Sequence, residues 1–380
     1  MTQPTNNLPA ARPRKTLTQI APVSWEHPAD RAALQTLRSI PGFDQVVKKI
    51  YGFIGERGIR LLFQADAVRV GPKQFPHLND LYTDVLTTMD WDPRCELFVS
   101  QTPFVNAGAY GMDRPFIVIN SGALKLLDDD EMRTLLGHEL GHVMSGHALY
   151  HTILILILNF SFSTLPFLAG IALLPIRIAL LEWFRKSELS SDRAGLLAVQ
   201  DPHAAMRMHL KMAGGGDMSQ MDLNEFLIQA REYEGTGGAL DRIFQILNTL
   251  ERTHPFSTLR ASELQRWIEA GHYERILNGE YTRRGPDADN RPIEKDIDEA
   301  REHYVKEAKA VVNDVVDSAK RAAQAFSDAF KKRSEYWSSE GAAANTPSSG
   351  RCDATPPPTP SSPLRGTRER RVWPPISPSP

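Results

Sequence analysis

Cysteine is scarce in this chain: 380 residues carry two, Cys95 and Cys352. Cys95 precedes the strand-like run Glu96-Leu97-Phe98-Val99, and Cys352 falls in a Pro- and Ser-rich stretch. No disulfide framework is expected, which suits a reducing compartment. Charge of one sign is also lacking. Forty-four Lys and Arg stand against 46 Asp and Glu, so nothing argues for a nucleic-acid partner. The first 25 residues, with Pro4, Pro9, Pro13 and Asn6-Asn7, hold no apolar core of a secretory signal and read as a flexible arm. No apolar run of bilayer-spanning length precedes residue 138.

What is present is chemically specific. In His138-Glu139-Leu140-Gly141-His142 the two histidines are four residues apart. On a helix that spacing is about 6 Å along the axis and about 40° around it. Both imidazoles can therefore converge on one ion, and H-E-x-x-H is the pattern of a zinc hydrolase. Glu139 lies at the edge of that face, placed to take a proton from a water without being a ligand. Asp128, Asp129, Asp130 and Glu131 put negative charge at the helix start, and Met132, Leu135, Leu136, Leu140 and Val143 form a buried stripe.

A catalytic zinc takes three protein ligands and keeps a fourth position open. One zinc class places Gly three and His six residues after the second His. Those positions hold Ser145 and Ala148 here, and His147 is about 140° around the helix from His142, so that class is excluded. The other class takes a glutamate from a second helix, followed four residues later by an aspartate. Ser187-Glu188-Leu189-Ser190-Ser191-Asp192-Arg193-Ala194-Gly195 fits it. Glu188 would bind the metal, and Asp192, one turn on, would accept the second ring N–H of a ligand histidine and fix its tautomer. Taken alone, the pair also reads as ordinary charges on a surface helix. A third element is Thr253-His254-Pro255-Phe256, with Arg260 following. A loop imidazolium can sit over a developing oxyanion, with an arginine to orient it or help, although a His-Pro pair alone also reads as a simple helix start.

Together these elements resemble the HtpX and CAAX-prenyl-protease type of gluzincin metallopeptidase, over roughly residues 44–267. Asn106-Ala107, the apolar run Phe116-Ile117-Val118-Ile119-Asn120-Ser121-Gly122, the H-E-L-G-H-V helix, Glu188/Asp192 and His254-Pro255 with Arg260 carry the resemblance in that order. It implies an endopeptidase acting on protein or peptide substrates. One Zn2+ per chain would sit on His138, His142 and Glu188, with Glu139 as general base and Asp192 behind a ligand. It also implies that the His-Pro histidine lies close to the metal. The strand near residues 106–110, including Asn106, Ala107 and Gly108, would pair with the substrate backbone. Relatives of the HtpX type begin with membrane-spanning helices, and this chain departs from them there. A non-proteolytic membrane-associated chaperone or adaptor with a structural zinc is the alternative; a structural site has no need of Glu139.

The expected architecture is mainly α with a small β-sheet, an α+β metallopeptidase domain over residues 26–285. Stripes such as Leu34, Leu37 and Ile40, then Val46, Ile50, Phe53 and Ile54, make residues 30–89 helical. Short strands are expected at 96–100 and 116–120, with helices again after Asp192. Residues 292–337 read as a long amphipathic helix, and 338–380, rich in Pro, Ser and Thr, as a disordered tail.

Between the ligands lies an apolar insert at 152–184. Residues 152–176 carry no charge, and only Arg177 and Glu182 interrupt the rest. Because His142 and Glu188 would share one ion, both ends of the insert lie on one side of any bilayer, and a single crossing is excluded. Two crossings need about 40 residues, more than the insert offers. Pro166 favours a hairpin. Such a hairpin could enter a membrane, lie on its surface, be buried in a homo-oligomer, or pack within its own domain. The run Ile153-Leu154-Ile155-Leu156-Ile157-Leu158 favours lipid contact. The expected location is the cytoplasmic side of a membrane, without a signal peptide.

Overall fold

A computed structural model of the chain describes residues 13–92, 94–159, 173–235 and 256–285. The expectations for residues 1–12, His254, the helix at 292–337 and the tail at 338–380 lie outside the described residues.

Helices α1 (Pro28–Ser39) and α2 (Phe43–Gln64) lead to strand β1 (Ala67–Arg69) and helix α3 (Pro76–Thr88). Strands β2 (Glu96–Ser100), β3 (Ala107–Tyr110) and β4 (Phe116–Asn120) follow, then helices α4 (Ser121–Leu126) and α5 (Asp129–Met144). The elements that follow among the described residues are the helices α6 (His147–Asn159), α7 (Leu173–Val199), α8 (Pro202–Gly214), α9 (Leu223–Gly235), α10 (Ser257–Glu269) and α11 (His272–Leu277). This is the expected mainly helical class with a small sheet. The two forecast strands are β2 and β4, whereas β1 interrupts the stretch read as wholly helical.

The sheet order is β1-β2-β4-β3, with β2 and β4 parallel and the outer pairs antiparallel. Leu97, Phe98 and Val99 of β2 and Phe116 to Ile119 of β4 are buried, as continuous apolar runs in central strands should be. Strand β3 has β4 on one side and forms an edge.

The helix α5 starts where the acidic run placed it. The Asp128 carboxylate accepts the N–H groups of Asp130 and Glu131, and Glu131 accepts the N–H of Asp128, a reciprocal cap. Glu131 is fully buried and is neutralised by Lys211, at 2.6 Å, and Arg207 of α8. Next to it, α7 lies against α5 at a distance that only small residues permit. A Cβ on Gly137 would come within 2.3 Å of the Ala198 Cβ, and one on Gly141 within 2.6 Å of the Ala194 Cβ. From the other side, a Cβ on Gly195 would meet the Thr134 carbonyl oxygen at 2.7 Å. This close seam brings side chains of α5 and α7 within reach of one ion.

A second apolar cluster joins Leu37 of α1 and Phe43, Val46 and Ile50 of α2 to the described parts of the insert. These are Ile153, Leu154, Leu156 and Ile157 of α6, with Ile176, Leu180, Leu181, Trp183 and Phe184 of α7. Both flanks of the insert thus pack within their own domain. Among the described residues no single helix is long and apolar enough to cross a membrane.

The expectation of a flexible arm over residues 1–25 needs correcting for 13–25. Leu17, Ile20 and Trp25 are buried in the main core, and Arg14 donates to the Val199 carbonyl and to Asp130. Three large apolar side chains among prolines and polar residues make no periodic signal, yet they anchor this segment.

Candidate metal centre

His138 and His142 sit one turn apart on α5, and Glu188 faces them from α7; all three are buried. The two Nε2 atoms are 3.2 Å apart. Glu188 Oε1 is 3.1 Å from His142 Nε2, and its Oε2 is 3.7 Å from His138 Nε2. Donors placed about 2.0–2.1 Å from a tetrahedral zinc are separated by about 3.3 Å, the edge of the tetrahedron. The three donors already stand close to that spacing, so the residues fit the ion. Two imidazoles and one carboxylate are also a donor set of a catalytic zinc rather than a structural one. Glu139 is buried beside them on α5.

Asp192, one turn after Glu188, places Oδ1 3.0 Å from His138 Nδ1, the outward nitrogen. Arg260 of α10 donates from Nε to Asp192 Oδ2 at 2.8 Å and stands 3.0 Å from Glu188 Oε2 through Nη1. Burial alone would push the Asp192 carboxyl up, but the Arg260 guanidinium outweighs it and holds the group far below the usual range. Burial likewise works against the charge on Arg260, and the two carboxylates raise it. Buried His209 of α8 has its Nε2 3.6 Å from Asp192 Oδ1; burial lowers its pKa to about 4, so the ring is neutral at pH 7. In the metal-free chain burial also opposes charge on His138, yet Glu188 and Asp192 raise it to about 9. His142 is held well below its ordinary value by burial.

The outward nitrogen of His142 meets a different partner. His142 Nδ1 is 3.1 Å from His147 Nδ1, and His147 Nε2 is 3.1 Å from Asp30 Oδ2. Burial opposes charge on His147, and Asp30 outweighs it in the metal-free chain. His147 opens α6 rather than continuing the helix of His142, so the angle expected around one helix does not apply; its ring stands behind His142 and outside the three-donor cluster.

Along β3, Tyr110 stacks on His151 of α6 with ring centres 5.0 Å apart, and His151 stacks on Phe184 at 4.4 Å. Burial raises the Tyr110 phenol, and the charge of Glu139 raises it further, so this ring lies in the electrostatic field of the centre. Gly108 makes room for it: a Cβ there would lie 2.4 Å from the Tyr110 hydroxyl. Ala107 and Gly108 belong to this edge strand, while Asn106 precedes it and accepts the Asn120 N–H.

The structure thus brings together His138, Glu139, His142, Glu188, Asp192 and Arg260. Arg260 it places against Asp192 and Glu188. Sequence reasoning passed over His151, His209 and Asp30, and took Tyr110 only as the end of a substrate-pairing strand. The recurrence of histidine at 142, 147 and 151 was the available signal for two residues around this centre.

The sequence model of peptidase family M48 matches residues 72–268, over half of the chain. The chain belongs to peptidase family M48. A curated relative, the plastoglobule-localized metallopeptidase 48 of Arabidopsis thaliana chloroplasts, is 30% identical over 258 residues. That alignment covers 67% of this chain and 74% of the relative. No solved structure matches it. M48 peptidases are zinc metallopeptidases, and the His138, His142 and Glu188 cluster is a fit site for the family's zinc.

Proposed function

We propose that this chain is a zinc-dependent endopeptidase that cleaves internal peptide bonds of protein substrates. The observation that carries the reading is the near-tetrahedral spacing of three buried donors with Glu139 beside them on the same helix. Bound to these donors, zinc would acidify a water and polarise the scissile carbonyl. Glu139 takes the proton of that water on its carboxylate and hands it to the departing amine nitrogen. Asp192 holds His138 by its Nδ1, leaving Nε2 free for the ion, and Arg260 keeps Asp192 ionised and pairs with Glu188. His254 is assigned to the oxyanion of the tetrahedral intermediate. The substrate backbone is assigned to the outer side of β3 at Asn106, Ala107 and Gly108, which the strand's terminal place in the sheet order supports.

The plastoglobule localisation of the Arabidopsis thaliana relative supports action at a lipid surface. Lipid contact is assigned to the insert at 152–184, whose residues 152–176 carry no charge. Membrane-associated proteins are the substrate class that follows, and their quality control is the assigned role.

The test compares cleavage of casein by the wild type and Glu139→Gln, each at measured zinc content and with chelator controls. The variant is expected to keep its zinc and lose at least about 10²-fold in rate. A folded, zinc-loaded Glu139→Gln protein with wild-type rate overturns the reading.

A further inference from the structure

We propose that Asp30 and His147 are positioning residues for the metal ligand His142, so that helix α1 completes the metal centre from outside the segment matched by the family. Residues 72–268 carry the match, and Asp30 lies well ahead of them. The proposal rests on the zinc-site reading only in needing His142 to bind through Nε2.

A ligand histidine must present a lone pair at Nε2, which puts its proton on Nδ1. That N–H of His142 then needs an acceptor, and the atom facing it, at 3.1 Å, is His147 Nδ1. His147 can accept there only when its own proton is on Nε2. Asp30 enforces that tautomer: its Oδ2 lies 3.1 Å from His147 Nε2 and accepts the proton's hydrogen bond. With a dication on His142, the neutral His147 ring has one arrangement that satisfies both neighbours. His142 Nδ1–H donates to His147, and His147 Nε2–H donates to Asp30.

The far end is fixed in turn. Ser190 of α7, two residues after the ligand Glu188, donates to Asp30 Oδ2 at 2.6 Å and accepts the His27 N–H at 2.9 Å. Trp183 presents its face or edge to His147 with ring centres 5.5 Å apart at 81°. Asp30, His142, His147 and Ser190 are all buried, and Asp30 and His147 border a cavity of about 680 Å³. Neighbouring Glu26 acts on His147 through its charge, whereas the carboxylate within hydrogen-bond distance of His147 Nε2 is that of Asp30. The two ligand histidines are thus backed differently: His138 directly by a carboxylate, His142 by a carboxylate acting through a second imidazole.

The competing view is that Asp30–His147 merely docks α1 onto α6 and α7. The two diverge in zinc affinity. Competitive chelator titration on the full chain gives the zinc dissociation constant, and thermal melting of the metal-free protein gives the docking contribution. Asp30→Ala and His147→Phe are expected to raise the dissociation constant about 10- to 100-fold. Asp30→Asn keeps a neutral acceptor and His147→Gln keeps a carbonyl for the His142 N–H, so both should fall between these and wild type. The visible absorption of the cobalt-substituted protein should shift in the first pair and recover in the second. If Asp30→Ala fails to fold, Asp30→Asn and His147→Gln carry the same reading. Variants that melt earlier without metal yet bind zinc within twofold of wild type overturn the proposal and leave the zinc site standing. A wild-type chain that binds no zinc overturns both.

Discussion

The helix α7 is packed in two chemically opposite ways along its length. Its C-terminal half meets α5 through Gly137, Gly141, Ala194, Gly195 and Ala198, and the seam holds buried charge: Glu188, Asp192 and Arg260. Its N-terminal half joins α1, α2 and α6 in an apolar cluster through Ile176, Leu180, Trp183 and Phe184, and the rings of His147 and His151 lie against the last two. Small residues at one end draw helices together so that polar side chains can share an ion. Large apolar residues at the other end fill space. The difference teaches that one helix can carry precise chemistry where its packing is tight and its charges are mutually satisfied, and carry stability where its packing is bulky.

Four substitutions break or sharpen this contrast. Glu188→Ala removes one of three donors at the polar end and is expected to take zinc content from one per chain to near zero after dialysis, measured by elemental analysis. Arg260→Met is next, since it strands two buried carboxylates at 3.0 Å and closer. Breaking such a buried network costs about 3–5 kcal/mol, read as a lowered midpoint of denaturant unfolding in metal-free protein. At the apolar end, Leu180→Ala opens a cavity at a fully buried position and is expected to cost about 2–5 kcal/mol. Folded Leu180→Ala protein should bind zinc as the wild type does; a tenfold loss of affinity would erase the distinction between the two halves. The smallest effect belongs to Phe53→Ser. Phe53 is 64% exposed on α2, so unfolding free energy should change by no more than about 0.5 kcal/mol.

The same contrast decides what could be read in the sequence. The polar end was legible because coordination chemistry imposes spacing: His142 is four positions after His138, and Asp192 four after Glu188. The acidic start of α5 and strands β2 and β4 were legible for similar local reasons. The apolar end was ambiguous, because Ile153, Leu154 and Leu156 suit lipid and protein equally, and only the packing of α6 and α7 on α1 and α2 shows what covers the insert's flanks. Partners far apart in the chain left no local trace. Asp30 looked like any charge near a helix start, and His147 could be excluded as a ligand but not placed behind one. Leu17, Ile20 and Trp25 anchor a segment whose composition suggested an arm. Strand β1, three residues long with only part of its surface buried, falls below what alternation can reveal.

The most direct test of the central claim is zinc K-edge absorption spectroscopy on the purified full-length chain, with metal stoichiometry from the same sample. One zinc per chain is expected, surrounded only by nitrogen and oxygen at about 2.0–2.1 Å with two imidazoles among the scatterers. A chain without zinc, or a zinc shell containing sulfur or lacking imidazole, would contradict it.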